Sequence, residues 1–173
     1  MRIAYTIAQG QGGTDLLLFN VATQLRELGY RTAGTVQINT EREDAGPCDM
    51  DVQVLPEGDR IRISQSLGAG SKGCRLDPFA LESAVGQVDA RLAAGANILI
   101  INKFGKHEAQ GRGFRDTIAT AVSLGIPVLV GTNNLNKDAL LEFTGGTAEW
   151  LPAQENEILN WFEMRPGQEE LVA

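Results

Sequence analysis

Apolar residues recur along this chain in two spacings, and the spacings alternate. Residues 2–8 (R-I-A-Y-T-I-A) read as a first strand, and residues 9–15 (Q-G-Q-G-G-T-D) as a turn. Leu17, Val21, Leu25 and Leu28 then fall at helical intervals, which predicts a helix over 16–28, with Thr14 or Asp15 capping its start and Gly29 closing it. Residues 30–38 predict a second strand. Residues 50–55 alternate and face 60–65 across P-E-G-D, which predicts a hairpin inserted at about residues 48–65. Asp77 followed by Pro78 is a helix start, and Leu81, Val85, Val88 and Leu92 continue it to Ala94. The run N-I-L-I-I at 97–101 is apolar without alternation, so it reads as a strand buried on both faces. A helix over 114–124, a buried strand over 127–131 and helices over 137–143 and 154–162 complete the order. Strands separated by helices predict an α/β fold with a mostly parallel central sheet between helical layers.

Composition narrows this only slightly. The 173 residues, 43% of them hydrophobic, suffice for one cored domain, read here as 1–164 with a frayed tail at 165–173. No apolar run reaches the length of a membrane span, so no membrane insertion is expected. The two cysteines make no disulfide framework, which suggests a cytoplasmic protein with reduced thiols. A net charge of −7 argues against a nucleic-acid partner. The charge is uneven, however: residues 60–75 carry +4 and residues 102–116 carry +2, leaving −13 for the rest. Basic, glycine-rich stretches in an acidic chain suggest either a local anion site or merely solvated loops.

Candidate chemistry lies in three loops. In the first turn, Gly12 and Thr14 fit the end of the phosphate-cradling pattern G-x-x-x-x-G-K-[ST], but Ile7 stands at the first glycine position and Gly13 at the lysine. Backbone N–H groups could remain for an anion there, without the usual cation. The stretch G-A-G-S-K-G at 68–73 matches G-x-G-x-x-G but follows a hairpin, so it reads as a mobile loop in which Lys72 and Arg75 could close over an anion. Cys48, Met50 and Cys74 are soft atoms, yet with His107 the single histidine they form no metal spacing signature. The third loop, after the apolar strand, carries Asn102, Lys103, Lys106, His107 and Glu108 at the edge where open α/β sheets bind ligands, and its polarity predicts that it stays out of the core. In a P-loop enzyme the apolar strand would end in a carboxylate that holds Mg²⁺ through water; here Asn102 and Lys103 stand at that point. Glu108 could hold Mg²⁺, act as a base, or pair with Lys106 or Arg112.

The stretch I-N-K-F-G-K-x-E-A-x-G-x-G-F-R (101–115) resembles a bacterial family of unknown function found with molybdenum-transport genes. The match continues in G-T-V-Q (34–37), C-D-M (48–50), R-I-S-Q-S-L-G-A-G-S-K-G-C-R-L-D-P (62–78) and G-I-P-V-L (125–129). That family is similar to a divergent branch of the P-loop NTPase superfamily, whose small nucleoside triphosphatases carry D-E-x-G-K-M-E where this chain has N-K-F-G-K-H-E. The resemblance implies a three-layer P-loop-NTPase-like fold. It further implies a small anionic ligand: a nucleoside triphosphate with Mg²⁺, molybdate, tungstate or a pterin phosphate. Molybdenum-transport or molybdenum-cofactor proteins are the implied partners. The expected ligand-binding residues are Gly10, Gly12, Gly13, Thr14, Gln37, Lys72, Arg75, Asn102, Lys103 and Lys106. Lys103 and Glu108 would be catalytic only in an enzyme. The competing expectations are a partner protein that needs no ligand and a slow Mg²⁺-dependent nucleoside triphosphatase.

Overall fold

A computed structural model describes residues 1–40, 49–67 and 75–164. Cys48, Lys72, Cys74, the G-x-G-x-x-G stretch and the tail at 165–173 lie outside the described residues. In chain order the elements are β1 (Ile3–Thr6), α1 (Gly13–Glu27), β2 (Thr32–Thr40), β3 (Asp49–Val54), β4 (Arg60–Arg62), α2 (Pro78–Ala93) and β5 (Ile98–Ile101). They continue with α3 (Lys106–Ala109), α4 (Arg115–Ser123), β6 (Val128–Gly131), α5 (Lys137–Phe143), β7 (Glu149–Trp150) and α6 (Glu155–Glu163).

The strands form one sheet in the order β4-β3-β2-β5-β6-β1-β7. β2, β5, β6, β1 and β7 run parallel, and the β3–β4 hairpin is added antiparallel at the edge of β2. The fold is thus the predicted α/β arrangement with an inserted hairpin. β1 and β2 are separated by β5 and β6, so the connection through α1 runs across the sheet in the direction opposite to those through α2, α4 and α5. Right-handed crossovers then place α1 on one face and the other three on the opposite face.

The core records that division residue by residue. In β5, Leu99 and Ile101 pack with Leu81, Val88, Ile118 and Leu140, while Ile98 and Ile100 pack with Leu18, Val21, Leu25 and Ile158 of α1 and α6. A strand sandwiched in this way must be apolar at every position, which is why this segment shows no alternation.

Gly34 lets β2 and β5 meet closely. A Cβ there would lie 1.8 Å from the Ile100 carbonyl oxygen, and φ is +115°, a value that favours glycine. In the hairpin, Arg62 donates to Asp51 at 2.5 Å and to Asp49 at 2.8 Å. The hydrogen bond to Asp51 raises its pKa above the ordinary guanidinium value, so Arg62 remains a cation.

Three expectations change. The loop after β5 does enter the core: Phe104 is fully buried on the same side of the sheet as Leu99 and Ile101, its ring stacked 5.9 Å from Phe143 of α5. α1 begins at Gly13, with Gly12 at φ +75° as its cap residue, so Thr14 and Asp15 lie inside the first turn instead of capping it. The short elements α3 and β7 carry too few residues to show a period in the sequence.

Candidate functional site

The ends of β1, β2, β5 and β6 open onto one edge of the sheet, and the N-terminus of α1 sits over it. Gly10 (φ +82°) and Gly12 (φ +75°) turn the chain from β1 into α1. Among the described residues, no acceptor takes the N–H groups of Gly10, Gln11 or Gly12. Thr14 Oγ1 accepts from Ala8 N–H at 3.0 Å, which holds the turn closed. At Gly13, the lysine position of the phosphate pattern, a Cβ would meet Ala8 Cβ at 3.3 Å. Below the turn, Gly131 at the end of β6 admits the helix. A Cβ there would lie 2.2 Å from the Asn102 carbonyl oxygen and 2.8 Å from both Thr14 Cγ2 and Leu18 Cδ1.

The centre of this edge is a carboxylate that the sequence pattern does not single out as part of a site. Asp15 accepts from Asn102 Nδ2 at 2.8 Å, Asn39 Nδ2 at 2.7 Å and Gln37 Nε2 at 3.3 Å. Asn102 is itself buried, and its Oδ1 accepts from the Gln37 backbone N–H at 2.9 Å. Thr14, Gln37 and Asn102 are therefore brought together, with Asp15 and Asn39 as members found only in the fold. The amide thus stands at the end of β5, and the acid sits in the first turn of α1.

The cations are placed differently. Lys103 and Lys106 are exposed, and neither has a hydrogen-bond or ion-pair partner among the described residues. The side chain of Lys103 runs along its own loop, with Cγ and Cε each 3.8 Å from where a Cβ on Gly105 would lie. Arg75 stands at the hairpin, its Nη2 3.8 Å from Asp49 Oδ1. Lys72 lies outside the described residues.

Glu108 is buried and pairs with neither Lys106 nor Arg112; instead its Oε2 accepts from Gly105 N–H at 2.9 Å and its Oε1 from Phe114 N–H at 3.3 Å. His107 Nε2 lies 3.7 Å from Glu82 Oε1. No group of three or more His, Cys, Asp or Glu converges among the described residues. With Asn102 at the strand end and Glu108 engaged by backbone N–H groups, these residues do not fit a protein-held Mg²⁺. No helix among the described residues is long and apolar enough to cross a membrane.

Two known proteins bear on this arrangement. The chain is 36% identical over 163 residues to the molybdenum import ATP-binding protein ModC 2 of Bradyrhizobium diazoefficiens, a match covering 93% of this chain. It spans only 18% of that protein's length. Its backbone resembles the solution structure of a human cancer-related nucleoside triphosphatase, with a TM-score of 0.60, 18% identity and 87% of each chain covered. That likeness establishes the fold as one shared with a nucleoside triphosphatase. Across residues 3–161 the sequence matches a family model described as "Protein of unknown function (DUF2478)", and the chain belongs to that family.

Proposed function

We propose that residues 1–164 act as one unit that binds a nucleotide or a small oxyanion at the edge where α1 begins, in a process connected with molybdenum transport. One observation carries this reading: among the described residues, the N–H groups of Gly10, Gln11 and Gly12 have no acceptor, and they lie in a glycine turn at the start of a helix of 15 residues. Such a turn offers donors and the positive end of the helix dipole to a negative ligand. The molybdenum connection rests on the relative's name, and a nucleotide as ligand rests on the same name and on the shared fold. Lys103 and Lys106 would supply charge from the segment after β5, and Gln37 and Asn102 would orient the ligand indirectly through Asp15. The protein would work in the cytoplasm.

Isothermal titration at low salt with ATP, GTP, molybdate and tungstate tests the proposal. Heat from at least one of them, diminished in the Lys103→Ala/Lys106→Ala double variant, is the expected result; silence from all four would refute it. We assign no hydrolytic step, since the lysine position is Gly13 and the residues present do not fit a held Mg²⁺.

A second reading draws on the coverage of the relative. A segment like this chain forms 18% of a protein named as a molybdenum import ATP-binding protein. A separate chain of the same family could then act by docking on such machinery, with no ligand of its own. Co-purification with a defined molybdenum-import protein, together with four silent titrations, would favour that alternative.

A further inference from the structure

Asp15 places a negative charge beside the turn proposed to receive a negative ligand, and the charge is held in place. Three carboxamides fix it, from Gln37 and Asn39 on β2 and from Asn102 after β5, at 3.3, 2.7 and 2.8 Å. No cation pairs with it: among the described residues its side-chain hydrogen bonds all come from neutral amides. Lys103 and Lys106, the cations after β5, are exposed, and among the described residues neither forms an ion pair with Asp15. Neutral donors orient a carboxylate without cancelling its charge, so its field reaches the neighbouring ligand position.

The geometry points to Asp15 as a specificity-determining residue that sets how much negative charge the site accepts. This rests on the anion-binding reading above and names the charge class of its ligand. Coulomb repulsion grows in proportion to ligand charge. A simple oxyanion dianion, or a nucleoside triphosphate already complexed with Mg²⁺, meets a modest penalty. The same nucleotide without metal carries more charge and meets a larger one. No three His, Cys, Asp or Glu converge among the described residues, so a neutralising Mg²⁺ would be held chiefly by the ligand's own phosphates.

Asp15→Asn removes the charge and keeps the geometry. The introduced carboxamide oxygen would still accept from Asn102 Nδ2. Rotating the Asn39 and Gln37 carboxamides by half a turn lets Asn39 accept from the introduced N–H while preserving the Gln37–Asn39 contact, now 2.8 Å. Asp59→Asn is the control. It removes the same charge at the turn between β3 and β4, on the opposite edge of the sheet, where the residue's contact is with Gln87 Nε2. Three probes are titrated into wild type and both variants at constant ionic strength: molybdate, ATP with excess Mg²⁺, and ATP with EDTA.

The expected result is that Asp15→Asn raises affinity for metal-free ATP by ~10-fold or more and for the other two by ~3-fold, a graded gain that repulsion requires. Asp59→Asn changes none of them. Equal gains for all three probes, no gain, or losses would overturn the inference while leaving anion binding intact. If no probe binds wild type or either variant, both readings fall. Circular dichroism and thermal unfolding of Asp15→Asn confirm that the comparison is made on folded protein.

Discussion

Glu108 spends both carboxylate oxygens on the N–H groups of Gly105 and Phe114, and Gly113 beside it has no room for a Cβ, which would lie 2.2 Å from Oε1. A buried donor left without an acceptor costs about 1–3 kcal/mol. Glu108→Ala should therefore lower stability by roughly 2–4 kcal/mol, read from urea unfolding, and Glu108→Gln by less because one oxygen remains. A Mg²⁺ ligand would behave differently, with Glu108→Gln changing metal dependence more than stability. Gly13 allows a gain-of-function test. Its backbone is helical, and a Cβ meets Ala8 Cβ at 3.3 Å and the Ala8 carbonyl carbon at 3.9 Å, a contact relieved by a shift of a few tenths of an ångström, so Gly13→Lys should fold and strengthen ATP binding by ~10-fold, measured by titration. At this scale much of the site is hidden in the sequence. Asp15 reads as a helix-start residue, and its partners at 37, 39 and 102 become neighbours only when β2 and β5 pair. Glu108 reads as a metal ligand, a base or the partner of Lys106 or Arg112, because backbone N–H groups leave no mark in a sequence.

Between elements, a glycine decides how closely two strands approach. Gly34→Ala would drive a Cβ to 1.8 Å from the Ile100 carbonyl while holding φ at +115°, so β2 and β5 must separate. We expect a loss of at least ~3 kcal/mol, seen as a lower urea midpoint or as insoluble protein. Asp77 shows the opposite kind of control, a local one: it accepts from Phe79 N–H at 3.0 Å and Ala80 N–H at 3.2 Å, capping α2. Asp77→Ala should cost about 1 kcal/mol in the same assay. α2 and β5 are legible in the sequence because each announces itself locally, by a cap with a proline and by an unbroken apolar run. β7 pairs with β1 through residues 149 and 150 alone, and α3 is one turn long. Their existence depends on what surrounds them, and no local pattern could reveal it.

Across the molecule, an acidic chain of net charge −7 keeps two exposed lysines, Lys103 and Lys106, in the segment that follows β5. Exposed charges are screened over about 8 Å at physiological ionic strength. Affinity for molybdate or ATP should thus weaken as salt is raised, and the Lys103→Ala/Lys106→Ala variant should lose most of that dependence. The edge as a whole is legible from β5 and the loop after it, but its interior is not: Phe104 anchors that loop in the core, and Gly131 lets the first turn of α1 rest directly on the end of β6. With backbone touching helix there, the bottom of the crevice has a width set by the main chain itself, and no substitution of a bulkier residue can retune it. Evolution of a new guest preference in this family would then have to proceed at the rim, through residues such as 15, 39, 103 and 106, over a floor that stays fixed.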